Sequence, residues 1–132
     1  MTDLVLSDIA IAPPEVVRHA TRDLAAALAQ TPAFRAFAQA AAAFRQDEVA
    51  QRAVQAYQLK QQSLQMMLML NAVSAEDRAE LNRLYQEFAT RPSVLAYVQA
   101  EAELRTVCQA VADRLSQQIG FDFVSACGSG CC

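Results

Sequence analysis

The candidate metal-binding or redox-active side chains of this sequence are concentrated at the end of the chain. Three of the four cysteines, Cys127, Cys131 and Cys132, fall within the last six positions in a C-x3-C-C arrangement. The intervening Gly-Ser-Gly lets the backbone curl, so that the first thiol can approach the other two. A disulfide-stapled secreted domain distributes its cysteines, and this clustering in a reducing compartment instead indicates metal binding or redox chemistry.

The identity of a metal at this tail stays open from the residues alone. Zinc suits thiolate ligands, and three of them would leave one position for a ligand from a partner. The same three thiols could also hold no cofactor at all, and remain disordered or form a disulfide on oxidation outside the cell. The fourth cysteine, Cys108, lies on an apolar helical stripe, where a buried structural thiol is expected.

The rest of the sequence offers no catalytic constellation. His19 is the sole histidine, and as a lone residue on a predicted helix it is expected to be an ordinary surface side chain and not a catalytic one. Glu101 and Glu103 are two residues apart, which turns them to different faces of a helix and makes them poor acid/base partners. No glycine-rich phosphate loop occurs, since Gly128 and Gly130 have no strand before them and no helix after. We therefore expect a protein that is not an enzyme and that acts by binding other macromolecules.

Bulk composition restricts the partners. The chain has 132 residues, a formal charge of −3 and eleven basic residues scattered among fourteen acidic ones. Direct, specific capture of nucleic acid is disfavoured, because no basic run or patch of aromatic residues is available. No apolar stretch approaches the roughly 20 residues of a membrane span. The N-terminus carries Asp3 and Asp8 where a signal peptide needs positive charge, which predicts a cytoplasmic protein.

The sequence predicts that the secondary structure of the chain is helical. The sequence is 54% hydrophobic, has no Trp, and places all three glycines after residue 119, so good helix formers dominate. Apolar periodicity predicts helices over about 14–29, 32–46, 48–70, 75–90 and 93–119. Their ends are marked by Thr31-Pro32, Asp47, Ser74 with Asp77, Arg91-Pro92 and Gly120.

These segments predict an all-α fold: an antiparallel bundle of about four to five helices with a long helical hairpin and a flexible Cys-rich C-terminal tail. The division is a helical domain over 1–123 and a Cys/Gly tail over 124–132. Phe34, Phe37 and Phe44 form one stripe and are expected to pack in the core. Phe121 and Phe123 follow the last helix and could fold back onto the bundle.

One apolar run does not fit a simple amphipathic helix. Five consecutive residues, Met66 to Leu70, wrap round the helix and cannot all face one core. They are either buried in a crowded bundle or exposed as an oligomer or partner interface, whose candidate residues are Met66, Met67, Met69 and Leu70. Long Ala- and Gln-rich helices also give a small domain little core, so self-association is expected.

Several local features together resemble the bacterial YlbF/YmcA family of small helical regulators, over most of the chain. They are Leu24-Ala25-Ala26-Ala27-Leu28, Thr31-Pro32-Ala33-Phe34, the Phe44 to Glu48 junction, the Gln-rich third helix, and Arg91-Pro92-Ser93-Val94 before a long last helix. The ending Ile119-Gly120-Phe121-Asp122-Phe123 and the Cys/Gly tail are most similar to the YlbF branch of that family.

The resemblance implies a non-enzymatic regulator that associates with YmcA-like and YaaT-like subunits. Such a complex influences competence, sporulation and biofilm formation, and acts on RNA maturation through the endoribonuclease RNase Y. The resemblance also implies an iron–sulfur cluster shared with partner subunits, for which Cys127, Cys131 and Cys132 are the matching ligands. A four-iron cluster usually takes four cysteines, so Cys108, another subunit or a small molecule would supply the fourth ligand.

A second function of a different class stays open. In it the cysteine tail is the active part of a thiol-redox or metal-handling protein, and the helices only present it.

Overall fold

The computed structural model describes residues 14–127, with side chains through residue 126, and contains only helices within that range. The helices are α1 (Pro14–Ala29), α2 (Pro32–Gln46), α3 (Glu48–Ser63), α4 (Gln65–Met69), α5 (Ala75–Ala89), α6 (Pro92–Ile119) and α7 (Phe123–Cys127). The predicted all-α class is confirmed. The leader before Pro14 and the last five residues, with Cys131 and Cys132, lie outside the described residues.

The helix ends follow the predicted capping residues. Thr31, Asp47 and Ser74 each accept a hydrogen bond from the backbone N–H three residues later, at 3.3, 3.0 and 3.1 Å. Each bond satisfies one of the orphan donors in the first turn of a helix. Gly120 ends α6 with a φ of 77°, a left-handed conformation that costs a glycine little.

The predicted helix from 48 to 70 is interrupted at Leu64, which divides it into α3, ending at Ser63, and α4, Gln65–Met69. The Ser63 hydroxyl donates to the Lys60 carbonyl oxygen at 2.7 Å, and the Leu64 N–H reaches the same oxygen at 3.2 Å. Competition of a serine hydroxyl for a helical carbonyl bends a helix. Leu64 adopts φ −102° and ψ 3°, and the chain resumes as α4.

The long helices form two antiparallel arms, one made of α2 and α3 and the other of α5 and α6. Only Asp47 separates α2 from α3, and only Thr90 and Arg91 separate α5 from α6. The helix α2 packs along α6, and α3 packs along α5, so both arms are interrupted at the same level. The short α4 and the following turn, in which Asn71 has a φ of 52°, connect the arms. This arrangement confirms the predicted antiparallel bundle with a long helical hairpin.

The core between the arms is narrow. Its buried apolar residues are Ala40, Ala50, Leu64, Leu84, Val94, Ala100 and Ala112. Four of these seven are alanines, which let the helix axes approach closely but exclude little apolar surface from water. Much apolar surface of the described chain is therefore exposed.

Aromatic side chains pack beside this narrow core. The ring of Tyr97 lies between those of Phe37 and Phe44, with centroids 5.4 and 5.5 Å away, a separation at which aromatic pairs attract. Phe37 and Phe44 are half-buried, which confirms the prediction that they pack in the core. The same prediction is wrong for Phe34, which is 38% exposed. Phe34 lies about 120° round the axis of α2 from the buried Ala40 and so faces away from the core.

A second aromatic group joins α3 to α5. Tyr57, Tyr85 and Phe88 contact one another, with centroids 5.3 to 6.0 Å apart. Beyond Gly120, Phe123 is half-buried where α7 packs on α6, whereas Phe121 is 56% exposed. Only one of the two terminal phenylalanines therefore folds back onto the helices.

Because the core is narrow, truncation of its few large side chains should be costly. Leu84 is 7% exposed, and Leu84→Ala should lower the free energy of unfolding by about 2–5 kcal/mol. Leu59→Ala, at a position 66% exposed, is the matched control and should change it by no more than about 0.5 kcal/mol. Urea unfolding monitored by circular dichroism measures both. Equal losses in the two variants would contradict this assignment of the core.

Candidate functional site

A carboxylate joins the two arms at the level where both are interrupted. Asp47 accepts three hydrogen bonds from the Arg91 guanidinium: Nη2 donates to Oδ1 at 3.0 Å and to Oδ2 at 3.1 Å, and Nε donates to Oδ2 at 3.2 Å. The Ser93 hydroxyl donates to Oδ2 at 2.6 Å, and the Ala50 backbone N–H donates to Oδ1 at 3.0 Å. A single side chain thus caps α3 and holds the first residues of α6.

These donors determine the ionisation of Asp47. The hydrogen bond from Ser93, followed by that from the Ala50 backbone, lowers the pKa of the Asp47 carboxyl from 3.8 to about 2. The nearby Arg91 lowers this pKa further, and partial burial opposes the shift. Hydrogen bonds to a carboxylate favour its charged form, so Asp47 is ionised throughout the neutral range.

This network is structural. Its groups are a carboxylate, a guanidinium and a hydroxyl that donate to or accept from one another, which leaves no activated nucleophile or base. From the sequence, Asp47 is recognisable only as a cap and Arg91 only as the end of a helix. Their contact spans 44 positions in the chain. Opposite charges at two predicted helix interruptions, in arms expected to run antiparallel, are the signal that could have revealed it.

The candidate interface residues lie at the end of the hairpin and are exposed. The relative exposures of Met66, Met67, Leu68, Met69 and Leu70 are 76, 49, 41, 78 and 75%. Among residues 14–126, no neighbour buries this segment, which was one of the two open interpretations. The structure brings all four predicted interface residues together on α4 and the residue after it. We call Met66–Leu70 the hairpin tip.

A shallow groove of about 470 Å³ borders the hairpin tip. It is lined by Leu68 and Met69 and by the side chains of Gln61, Gln62 and Gln65. Thioether and aliphatic groups adapt to varied apolar partners, and amides both donate and accept hydrogen bonds. Such a surface can hold an amphipathic segment of another protein, with apolar contacts in the middle and polar contacts at the rim.

The predicted cysteine site is described only in part. Cys127 is the last residue of α7 and is described by its backbone alone. Cys131 and Cys132 lie outside the described residues. Cys108 is half-buried on α6 as a free thiol. Among residues 14–127, no three His, Cys, Asp or Glu side chains come together as metal ligands, so the described part of the chain does not assemble the donor set.

The remaining titratable residues singled out from the sequence lie on the surface. His19 Nε2 is 3.6 Å from an Asp23 carboxylate oxygen on the exposed side of α1. Glu101 accepts from Arg105 at 2.9 Å and Glu103 accepts from the Gln99 amide at 2.9 Å. Both are ordinary one-turn pairs along a helix.

Within the described residues, no helix combines the length and apolar character required to cross a membrane.

Comparison with known proteins gives one match. The family model described as control of competence regulator ComK, YlbF/YmcA, matches residues 17–120, which run from the first turn of α1 to the glycine that ends α6. Neither the curated proteins nor the solved structures include a significant match.

Because Asp47 is ionised in the folded chain, we expect its contribution to the free energy of unfolding to depend on pH in the acid range. Its pKa is depressed in the folded chain, so its contribution to stability is fully present above the ordinary value of 3.8 and is lost as the pH falls through about 2. Asp47→Asn should therefore melt several degrees below wild type at neutral pH, and this difference should shrink between about pH 4 and pH 2. Melting curves by circular dichroism across that range measure it.

The control is Glu48→Gln, one residue further along the chain. Glu48 pairs with Arg52 on the surface, with side chains 79 and 76% exposed, and exposed pairs contribute little. Its melting temperature at neutral pH should stay close to that of wild type. A difference between Asp47→Asn and wild type that does not change with pH would contradict the proposed role of the Asp47 charge.

Proposed function

The chain belongs to the YlbF/YmcA family, and on that basis we propose that it is a non-enzymatic regulatory adaptor that binds other subunits through the hairpin tip. The observation that carries the proposal is the exposure of five consecutive apolar residues, 41 to 78% each, on one short segment. Apolar surface of this density on a regulatory protein marks an interaction site. A regulator of this kind works by association, so it needs a surface of this type and no reacting groups.

The fold supports this use of the tip. The tip closes the α3 and α5 pair, whose aromatic rings interlock, and Lys60 Nζ donates to the Asp77 carboxylate across the pair at 2.7 Å. The Asp47 network holds this pair to α2 and α6. A surface on a rigid support loses less conformational entropy when it binds. The partners proposed for it are YmcA-like and YaaT-like subunits, alongside self-association of the chain.

The pathway proposed for such a complex is RNase Y-dependent RNA maturation, with effects on competence, sporulation and biofilm formation. The charge distribution favours an indirect action on RNA. Within the described part of the chain, ion pairs with carboxylates involve six basic residues, namely Arg18, Arg52, Lys60, Arg83, Arg91 and Arg105. Paired cations on an acidic chain attract phosphates weakly. A partner protein would therefore contact the RNA.

A cofactor of the complex is the second part of the proposal. Cys127, Cys131 and Cys132 would hold an iron–sulfur cluster, together with a ligand from another subunit. Thiolates are the ligands that such clusters use, and Cys127 is the last residue of α7, which packs on α6. Zinc remains the alternative metal for the same thiolates.

The proposed interface predicts a selective loss of partners. The double variant Met69→Gln, Leu70→Gln, at positions 78 and 75% exposed, should weaken the binding of YmcA-like and YaaT-like subunits by about tenfold or more, because truncation of interface anchors costs more than about 1.4 kcal/mol. Co-purification from native cells, quantified by mass spectrometry, measures subunits and RNase Y. The melting temperature should not change.

The control variant is Leu59→Gln, which introduces the same amide at a residue 66% exposed on α3. It should recover partners at the wild-type level. Undiminished recovery with the tip variant would exclude the hairpin tip as the interface. Recovery of a stoichiometric substrate or product in place of protein subunits would argue against an adaptor.

The proposed cluster predicts bound iron that depends on the three tail thiols. Wild type and the triple variant Cys127→Ser, Cys131→Ser, Cys132→Ser should be purified anaerobically after co-expression with the partner subunits. Wild type should carry iron and sulfide with broad visible absorption, and the variant should lose both. Equal iron in the two proteins would disprove the site, and zinc without sulfide in wild type alone would establish the alternative metal.

A further inference from the structure

The hairpin tip lies within the longest run of the sequence that contains no charged residue. That run covers residues 61–75, and its polar side chains are amides and hydroxyls. At its ends, Lys60 and Asp77 neutralise each other through their 2.7 Å pair across α3 and α5. Glu76 and Arg78, on either side of Asp77, carry opposite charges. The tip and its surroundings therefore present an apolar surface without net charge.

The groove beside the tip has the same character. Its apolar atoms come from Leu68 and Met69, and its amides come from Gln61, Gln62 and Gln65. All five residues are exposed within the described chain. A charged group of a partner would lose its water in this groove and find no opposite charge, which makes its burial costly. The amides can enter a dry contact once they have hydrogen-bond partners, so the groove favours an uncharged surface.

The helical structure of the tip restricts how a partner can bind. Residues 61–75 contain no strand, so they offer no sheet edge to an extended peptide. They contain no aromatic residue, the type that lines grooves for proline-rich segments, and no arginine, the type that binds acidic or phosphorylated motifs. Among the common modes of peptide recognition, an amphipathic helix laid into an apolar groove is the one that these side chains fit.

A lipid surface suits the tip less well than a protein helix does. Segments that enter the interface of a membrane combine apolar side chains with Lys or Arg for the headgroups and with Trp or Phe for the acyl boundary. Residues 61–75 contain none of these four types. The apolar residues of the tip therefore lack the anchors that hold a helix at a bilayer.

A second copy of this chain also matches the tip poorly. The groove along its α6 carries Glu101, Arg105 and Asp113, and the exposed apolar residues of its α1 stand between charged neighbours such as Arg22 and Asp23. Contact with the tip would remove water from these charges, and residues 61–75 offer no ion pair in return. The charge pattern thus favours a protein of different sequence.

We propose that the hairpin tip binds an uncharged, apolar helical segment of a different protein. The proposal rests on the proposed function, because it takes the tip as the interface, and it specifies the chemistry of the surface on the partner's side. Selectivity then comes from the exclusion of charge: a helix with Lys, Arg, Asp or Glu in its contact row is rejected because the tip cannot pair it.

Substitution of one amide in the groove by charges of both signs tests the proposal. Gln65→Glu and Gln65→Lys should each weaken the binding of purified YmcA-like and YaaT-like subunits to the full chain about tenfold or more, because either charge is buried unpaired. Gln55→Glu and Gln55→Lys, at an exposed amide of α3 outside the groove, are the matched controls and should bind like wild type. Wild-type affinity should change less than about threefold between roughly 0.05 and 0.5 M NaCl. Isothermal titration calorimetry measures all five proteins.

The segment of the partner that contacts the tip gives an independent test. A benzoylphenylalanine at Leu68 should crosslink, in the same subunits, to one segment with apolar residues at helical spacing and no charged residue among them. Mass spectrometry identifies the segment. Charged residues within its apolar row, or the alternating pattern of a strand, would overturn the proposal.

The possible outcomes separate this proposal from the proposed function. Tighter binding by Gln65→Glu or Gln65→Lys, or a steep loss of wild-type affinity with salt, would indicate a charged partner surface and overturn the proposal, while the tip remained the interface. If the proposed function itself fails, Met69→Gln, Leu70→Gln will bind the subunits like wild type. A wild-type multimer that Gln65→Glu dissociates would assign the tip to a second copy. Binding to phosphatidylcholine vesicles that Met69→Gln, Leu70→Gln abolishes would assign it to lipid, and either result would overturn the proposal.

Discussion

The hydrogen-bonded ion pair between Asp47 and Arg91 holds the two arms of the hairpin together at the level where both helices stop and restart. Both arms of the hairpin are interrupted at this level, and an interruption exposes backbone donors and acceptors that a continuous helix would pair. Asp47 satisfies a donor at the start of α3 while it holds Arg91 and Ser93 at the start of α6. Without it, α2 with α6 and α3 with α5 would be two short helical pairs joined at two points.

The narrow core explains why so much apolar surface of the described residues is exposed. Alanines at the centre of the contact let the arms approach closely, but a pair of helices has no third layer to cover its outer faces. The large apolar residues of α1 and the hairpin tip are therefore exposed for one architectural reason.

Local features of this fold were predictable, whereas contacts between distant residues were not. Thr31, Asp47, Ser74 and Gly120 mark helix ends through bonds to residues within one turn, and periodicity fixes the helices between them. The end of α3 at Ser63 involves a hydroxyl group that competes for a helical carbonyl oxygen, and hydrophobic periodicity contains no signal for such a bond. The partnership of Asp47 with Arg91 requires the register of two arms, and that register follows from packing.

The candidate interface illustrates the same division. The run Met66 to Leu70 was recognisable because five apolar residues in succession cannot face one core, but its exposure followed only from its position at the end of the hairpin. The most direct measurement of the adaptor function is photo-crosslinking in native cells from a benzoylphenylalanine at Met69, with the same probe at Leu59 for comparison. The probe at Met69 should crosslink to YmcA-like or YaaT-like subunits and the probe at Leu59 should not, whereas equal crosslinking from both positions would contradict the account.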